Sequence, residues 1–185
     1  MSSSRQICNG RTGMEQAGFS LTELLIVIAI IGILGAIAVP GMLRARRTGN
    51  EASAIGSLRA LNSAQSTYAS GAAKGGYATL LATLATACPG GNAAFISPDL
   101  SIDPAIKSGY TVTMAAATVS SPGPSDCNGV ATVTAYYSTA VPVAAGMSGL
   151  RAFASSASGA IFFDPTGVAP TEAQMAPGGG GTTIQ

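Results

Sequence analysis

At 185 residues the chain has room for one domain and one further segment. Only 9% of it is charged, against about 25% in ordinary globular domains, and a net charge of +1 gives no basic footprint of the strength that nucleic-acid binding uses. There is no His, which excludes His-based nucleophile triads, the HExxH zinc motif and His/Cys zinc clusters, so no enzyme activity and no cofactor are expected. Gly, Ala, Ser and Thr are plentiful, and a low-charge surface of small residues suits a subunit that packs against copies of itself.

Residues 1–18, MSSSRQICNGRTGMEQAG, are polar and carry Arg5 and Arg11 but no apolar core. A Sec signal peptide has its apolar region before the cut, so this segment is not one. Met14 offers a second start within it. From Phe19 to Val39 the chain is almost wholly apolar. A helix of that length covers about 30 Å, the thickness of a bilayer's hydrocarbon core. Glu23 breaks the run. A carboxylate in such a place costs several kcal/mol, so its presence points to function. Gly32 and Gly35 fall inside the helix and Pro40 ends the run. Gly costs up to about 1 kcal/mol and Pro about 3 in a helix interior, which marks Gly32 to Pro40 as a weak segment. Two readings of it stand side by side. One is close packing through small residues; the other is a segment that kinks or unwinds when the chain leaves the bilayer.

Beyond Pro40 come Arg44, Arg46 and Arg47, then Ile55, Leu58, Leu61 and Tyr68 at helical spacing. The pattern predicts an amphipathic continuation to about Ser70, broken by Gly71 and Gly75-Gly76. The arginines read as a solvated interfacial face, with pairing to acids such as Glu51 of neighbouring copies as the alternative. Residues 72–108 read as a long connection, with a short helix between Tyr77 and Leu84. From Gly109 the period is two: Tyr110, Val112 and Met114 predict a strand, and Val130 to Ala140 its hairpin partner. Leu150 to Ser155 and Ala160 to Asp164 predict a second hairpin, and the Pro/Gly-rich end a flexible tail. The expected fold class is α+β: a long N-terminal helix, its first half membrane-spanning, packed on a small antiparallel sheet. Asp99, Asp103, Asp126 and Asp164 are scattered without EF-hand spacing, so no metal site is expected.

Gly18, Phe19 and Glu23, followed by the apolar run and Pro40, resemble the class III signal of type IV prepilins and the related pseudopilins. That signal is a Gly before the cut, an N-methylated Phe after it, a Glu four residues on, and a long helix. The resemblance implies a leader at 1–18 removed by a prepilin peptidase. It implies a helix at 19–71, with 19–39 in the membrane or the filament core, and a head at 72–185. It implies Gly18 and Phe19 as the site of cleavage and N-methylation, and Glu23 with the Phe19 amine as the pair that drives subunit assembly. The partners it implies are copies of the chain, the peptidase, the inner-membrane assembly machinery, and the membrane itself before assembly. Arg44, Arg46 and Arg47 put more positive charge after the anchor than before it, and the motif outweighs that charge count. Cys8 would leave with the leader. Cys88 and Cys127 would then stand outside the cytoplasm, where a disulfide is favoured over two separate thiols.

Three functions share this N terminus: a type IV pilin built into a surface filament, a pseudopilin of a type II secretion system forming a periplasmic pseudopilus, and a minor tip pilin that contacts DNA or a surface. Glu23 favours a subunit placed throughout the shaft. The chain is longer than pseudopilins of the major type and lacks their acidic cluster. Adhesion, motility, DNA uptake and secretion are all compatible with these residues.

Overall fold

A computed structural model of the chain describes residues 18–91 and 93–184. The expected leader, with Arg5, Cys8, Arg11 and Met14, lies outside the described residues except for Gly18. The chain divides into two compact units, Met1–Pro40 and Gly41–Gln185.

The described part of the first unit is residues 18–20 and the start of helix α1, Leu21–Gly71. Its apolar side chains are exposed, from Leu21 at 79% to Ile37 at 76%. The most apolar window has a mean hydropathy of 2.7 with none of it buried, so α1 is long and apolar enough to cross a membrane. Pro40 lies within α1, and the helix is continuous through it.

In the second unit the helical period of the sequence becomes a buried stripe. Ala54, Leu58, Leu61, Ala64 and Tyr68 recur at three- and four-residue steps and are buried together with Tyr110, Val112, Tyr136 and Phe153 of the sheet. The stripe ends where Gly75, at φ 97°, takes a left-handed conformation and donates its N–H to the Ala69 carbonyl at 2.8 Å. A short helix α2, Leu81–Leu84, puts Leu81 and Leu84 into the same core.

The sheet has six antiparallel strands in sequential order: β1 Ala105–Lys107, β2 Tyr110–Ala116, β3 Tyr136–Pro142, β4 Ala152–Ser156, β5 Ile161–Asp164 and β6 Thr182–Thr183. In β2 the period of two is literal: Tyr110, Val112 and Met114 are buried, Thr111 and Thr113 half-buried. The β4–β5 hairpin falls where the second hairpin is expected, around the turn at Ser158-Gly159, with β4 buried at four successive residues.

Three expectations change. The partner strand of β2 starts at Tyr136, because Val133 is taken by isolated bridges to Tyr77 and Pro122. The end of the long connection supplies an edge strand, β1, paired with β2 from Ala105 to Lys107. The expected flexible tail instead forms helix α3, Glu172–Met175, and strand β6, which pairs with β5. Thr171 and Gln174 close α3 with a reciprocal capping box, so its first turn is satisfied despite the Pro and Gly around it.

Candidate functional site

The candidate site begins at the first turn of α1. Gly18, Phe19 and Ser20 precede the helix, and Phe19 is 75% exposed. Ser20 is the N-cap residue: its Oγ accepts the Thr22 N–H at 3.3 Å. Glu23 reaches back, and its Oε2 accepts the Ser20 N–H at 3.2 Å. This is the Ser-x-x-Glu pattern of a capping box, a local signal in SLTE that the lone charge masks. Glu23 therefore has a role within one subunit: it closes its own helix and sits favourably at the positive end of the helix dipole. Only Oε2 is used; among the described residues Oε1 has no protein partner. Glu23 is also the single charged residue between Gly18 and Leu43. The site is thus an exposed Gly-Phe junction, one carboxylate a turn further on, and an unbroken apolar helix behind it.

Gly32, Gly35 and Pro40 lie along that helix. A Cβ at Gly32 or Gly35 would meet nothing within 4 Å. The fold of a single chain therefore does not require glycine at either position. Each lowers helix propensity, and among the described residues nothing packs against it to offset that cost.

Cys88 and Cys127 are bonded to each other, 39 residues apart in sequence. The bridge ties the segment after α2 to the long β2–β3 connection. Beside it Asp126, buried, accepts from the Tyr68 hydroxyl at 2.8 Å, the Asn128 N–H at 2.8 Å and the Val130 N–H at 2.7 Å. Burial and the Asp126 carboxylate both push the Tyr68 hydroxyl well above its ordinary pKa. Gln65, also buried, exchanges two hydrogen bonds with the Ala78 backbone, at 2.7 and 3.0 Å.

Glu51 is the main correction to the reading of charges. It is not an acid offered to arginines of neighbouring copies. It is 7% exposed and held within its own chain. Its Oε1 accepts the Leu150 and Arg151 N–H groups at 2.9 and 3.2 Å, and its Oε2 accepts the Arg151 guanidinium at 2.7 and 2.8 Å. Desolvation pushes the Glu51 pKa up, but these hydrogen bonds and the Arg151 charge outweigh it and hold it below the ordinary carboxylate value. The Arg151 guanidinium also lies over the rings of Phe153 and Phe163, 5.6 and 5.4 Å from their centroids. Next to it the Tyr110 hydroxyl donates to the Arg151 carbonyl at 2.8 Å. Burial and the nearby Glu51 charge push that hydroxyl up to about 12. A Cβ on Gly149 would fall 1.9 Å from the Tyr110 oxygen, so this position needs glycine. No local signal announces the clamp, because its two sides are about a hundred residues apart and meet only when the sheet forms.

The aspartates considered as scattered metal ligands have other partners. Asp99 pairs with Lys107 at 2.5 Å and accepts from Ser97. Asp164 Oδ1 accepts the Thr166 N–H at 2.7 Å in the turn that closes β5. Among the described residues no three His, Cys, Asp or Glu side chains gather as a metal site would need.

Residues 13–39 match the motif described as the prokaryotic N-terminal methylation motif. The chain is 41% identical over 58 residues to the type IV major pilin protein PilA of Myxococcus xanthus, a match covering 31% of this chain and 26% of that one. It is 32% identical over 59 residues to the type II secretion system core protein G of Pectobacterium carotovorum, covering 32% and 38%. It is 59% identical over 34 residues to the type IV wide pilus major component PilA4 of Thermus thermophilus, covering 18% and 26%. The matches thus span between about a quarter and two-fifths of these relatives' length. No solved structure matches the chain.

Proposed function

We propose that this chain, a member of the type IV pilin and pseudopilin family by its N-terminal motif, is the structural subunit of a type IV pilus, drawn from a membrane pool into a surface filament. The observation that carries the reading is the lone carboxylate of Glu23 in a run with no other charge from Gly18 to Leu43. Cleavage between Gly18 and Phe19 creates an amine on Phe19, and methylation leaves it basic. In hydrocarbon a lone ammonium and a lone carboxylate are both penalised. Placing the Phe19 amine of one subunit against Glu23 of another neutralises both, and low dielectric strengthens the attraction. The free Oε1 of Glu23 leaves room for that partner while Oε2 keeps the helix capped. The apolar runs then bundle into a dry core, with Gly32 and Gly35 permitting close approach, and the heads face outward.

A pseudopilin of a type II secretion system is the second reading, because the relative from Pectobacterium carotovorum is a component of such a system. The two readings differ in where the polymer stands. Mass analysis of the exported chain should find Phe19 as the methylated first residue, and sheared surface filaments should contain the chain as their main band. A mature end at any other residue would overturn the processing step. Absence from sheared filaments, with the chain retained in the cell envelope, would favour the pseudopilus.

A further inference from the structure

Three arginines follow the apolar run within about one turn of α1: Arg44, Arg46 and Arg47. None of them forms an ion pair among the described residues, and Arg47 Nε is buried without a hydrogen-bond partner. Glu51, at the helical spacing that would suit Arg47, is taken by Arg151.

The next turn of the helix fixes what lies beside them. Asn50 Nδ2 donates to the Ser148 carbonyl at 2.8 Å, and Glu51 accepts the Leu150 N–H at 2.9 Å. The β3–β4 loop, residues 143–151, is thereby pinned to the helix face that carries Arg47 one turn earlier. Residues 143–150 carry no charge, the loop's one charged residue, Arg151, is held by Glu51, and Val143, Met147 and Leu150 are 57%, 78% and 53% exposed. One end of the head thus presents unpaired guanidinium groups next to uncharged, exposed apolar side chains.

We propose that this end of the head docks on an anionic phospholipid surface while the subunit is held in the membrane. The inference rests on the reading of α1 as a membrane anchor. Apolar side chains that enter the headgroup boundary, flanked by cations that meet phosphates, are the elements of an interfacial contact. The apolar run ends four residues before Arg44, so the chain itself brings the cluster to the headgroup level. A second copy of the chain is the less suited occupant. Of the carboxylates beyond the apolar run, Glu51 and Asp126 are buried with their partners in their own subunit, and Asp99 is already paired with Lys107. Docking would hold the head in one orientation before assembly, and extraction into a filament would release it.

The chain has no Trp, so one introduced indole reports one place. Full-length M147W and, as a control, V119W are reconstituted in phosphatidylcholine vesicles containing brominated lipid, with and without phosphatidylglycerol. Val119 is 92% exposed and follows the end of β2 remote from the 143–151 loop. With phosphatidylglycerol, M147W emission should shift to the blue and be quenched by bromolipid, while V119W stays unquenched. Replacing each arginine by Gln should lower the ratio of docked to free head about five-fold. M147W that floats with the vesicles yet matches V119W would overturn the docking and leave the anchor intact. A blue shift that follows protein density and ignores phosphatidylglycerol would overturn it in favour of contact between copies. Failure of the chain to float would overturn the anchor reading and the docking with it.

Discussion

Glu23 and Glu51 are the two acids of α1, and the fold uses them in opposite ways. Glu51 is buried and saturated: two backbone N–H groups and the Arg151 guanidinium share its two oxygens. Removing Arg151 would strand that carboxylate. A fully buried pair costs about 3–5 kcal/mol when broken. The Arg151 side chain is 39% exposed, and the two backbone donors remain, so R151A should lower head stability by about 2 kcal/mol in urea unfolding. The same clamp makes stability depend on acid. Because the folded Glu51 pKa lies below the ordinary value, its contribution is present above that value and is lost as pH falls through the folded one. The urea midpoint of the parent protein should therefore fall below about pH 4 more steeply than that of E51Q. Equal slopes would show that Glu51 is not the group responsible. Glu23, by contrast, is exposed and among the described residues has one oxygen without a partner. The lone charge in an apolar run singles out its position in the sequence. Its capping role is equally written in Ser-Leu-Thr-Glu, but the anomaly of the charge draws attention away from the cap.

At the scale of elements, periodicity carries most of the reading. α1 and β2 follow from steps of three or four and of two, because each has one face in the core and enough residues to display it, whereas the β4–β5 hairpin is marked by the turn at Ser158-Gly159. β1 and β6, with three and two residues, are too short to show any period, and their pairing is decided by the neighbouring strand. Composition alone misjudges the tail, although Thr171-Glu-Ala-Gln174 is itself a capping signature. The disulfide joins two irregular segments that have no period of their own, and there the bridge replaces secondary structure as the constraint. Closing a loop over 39 residues contributes about 4 kcal/mol on the chain-entropy account. The double substitution C88S/C127S should lower head stability by about that amount, and free-thiol labelling of the parent chain without reductant should find neither cysteine reactive. Gly32 and Gly35 make a separate test, since among the described residues nothing lies where their side chains would be. G32A and G35A should leave expression and membrane insertion unchanged and raise helicity, by about 1 kcal/mol of propensity each. If packing between subunits or unwinding of this segment uses those glycines, the same variants should yield fewer filaments, counted by electron microscopy. Normal filament numbers would assign the glycines no role in assembly.

The whole molecule joins two solvents in one chain. One unit has its apolar surface outside, fit for lipid or for other copies. The other has its apolar surface inside, closed by a disulfide, a six-stranded sheet and a buried carboxylate clamp. Such a chain is incomplete alone in water, and a polymer whose core is built from the N-terminal helices removes the exposed apolar surface of every subunit at once. On the proposed reading, the Glu23 charge against the Phe19 amine of the next subunit selects the partner and sets the register. The two roles of Glu23 can be separated, because Gln at the same position preserves a capping box and removes only the charge. The most direct test is electron microscopy of cells expressing E23Q and E23A, with immunoblots and mass analysis confirming cleavage at Phe19. Both variants should be processed and membrane-inserted like the parent chain, and neither should build filaments. Abundant filaments of ordinary length from E23Q would contradict the account, since they would show that a neutral cap at this position suffices to recruit the subunit.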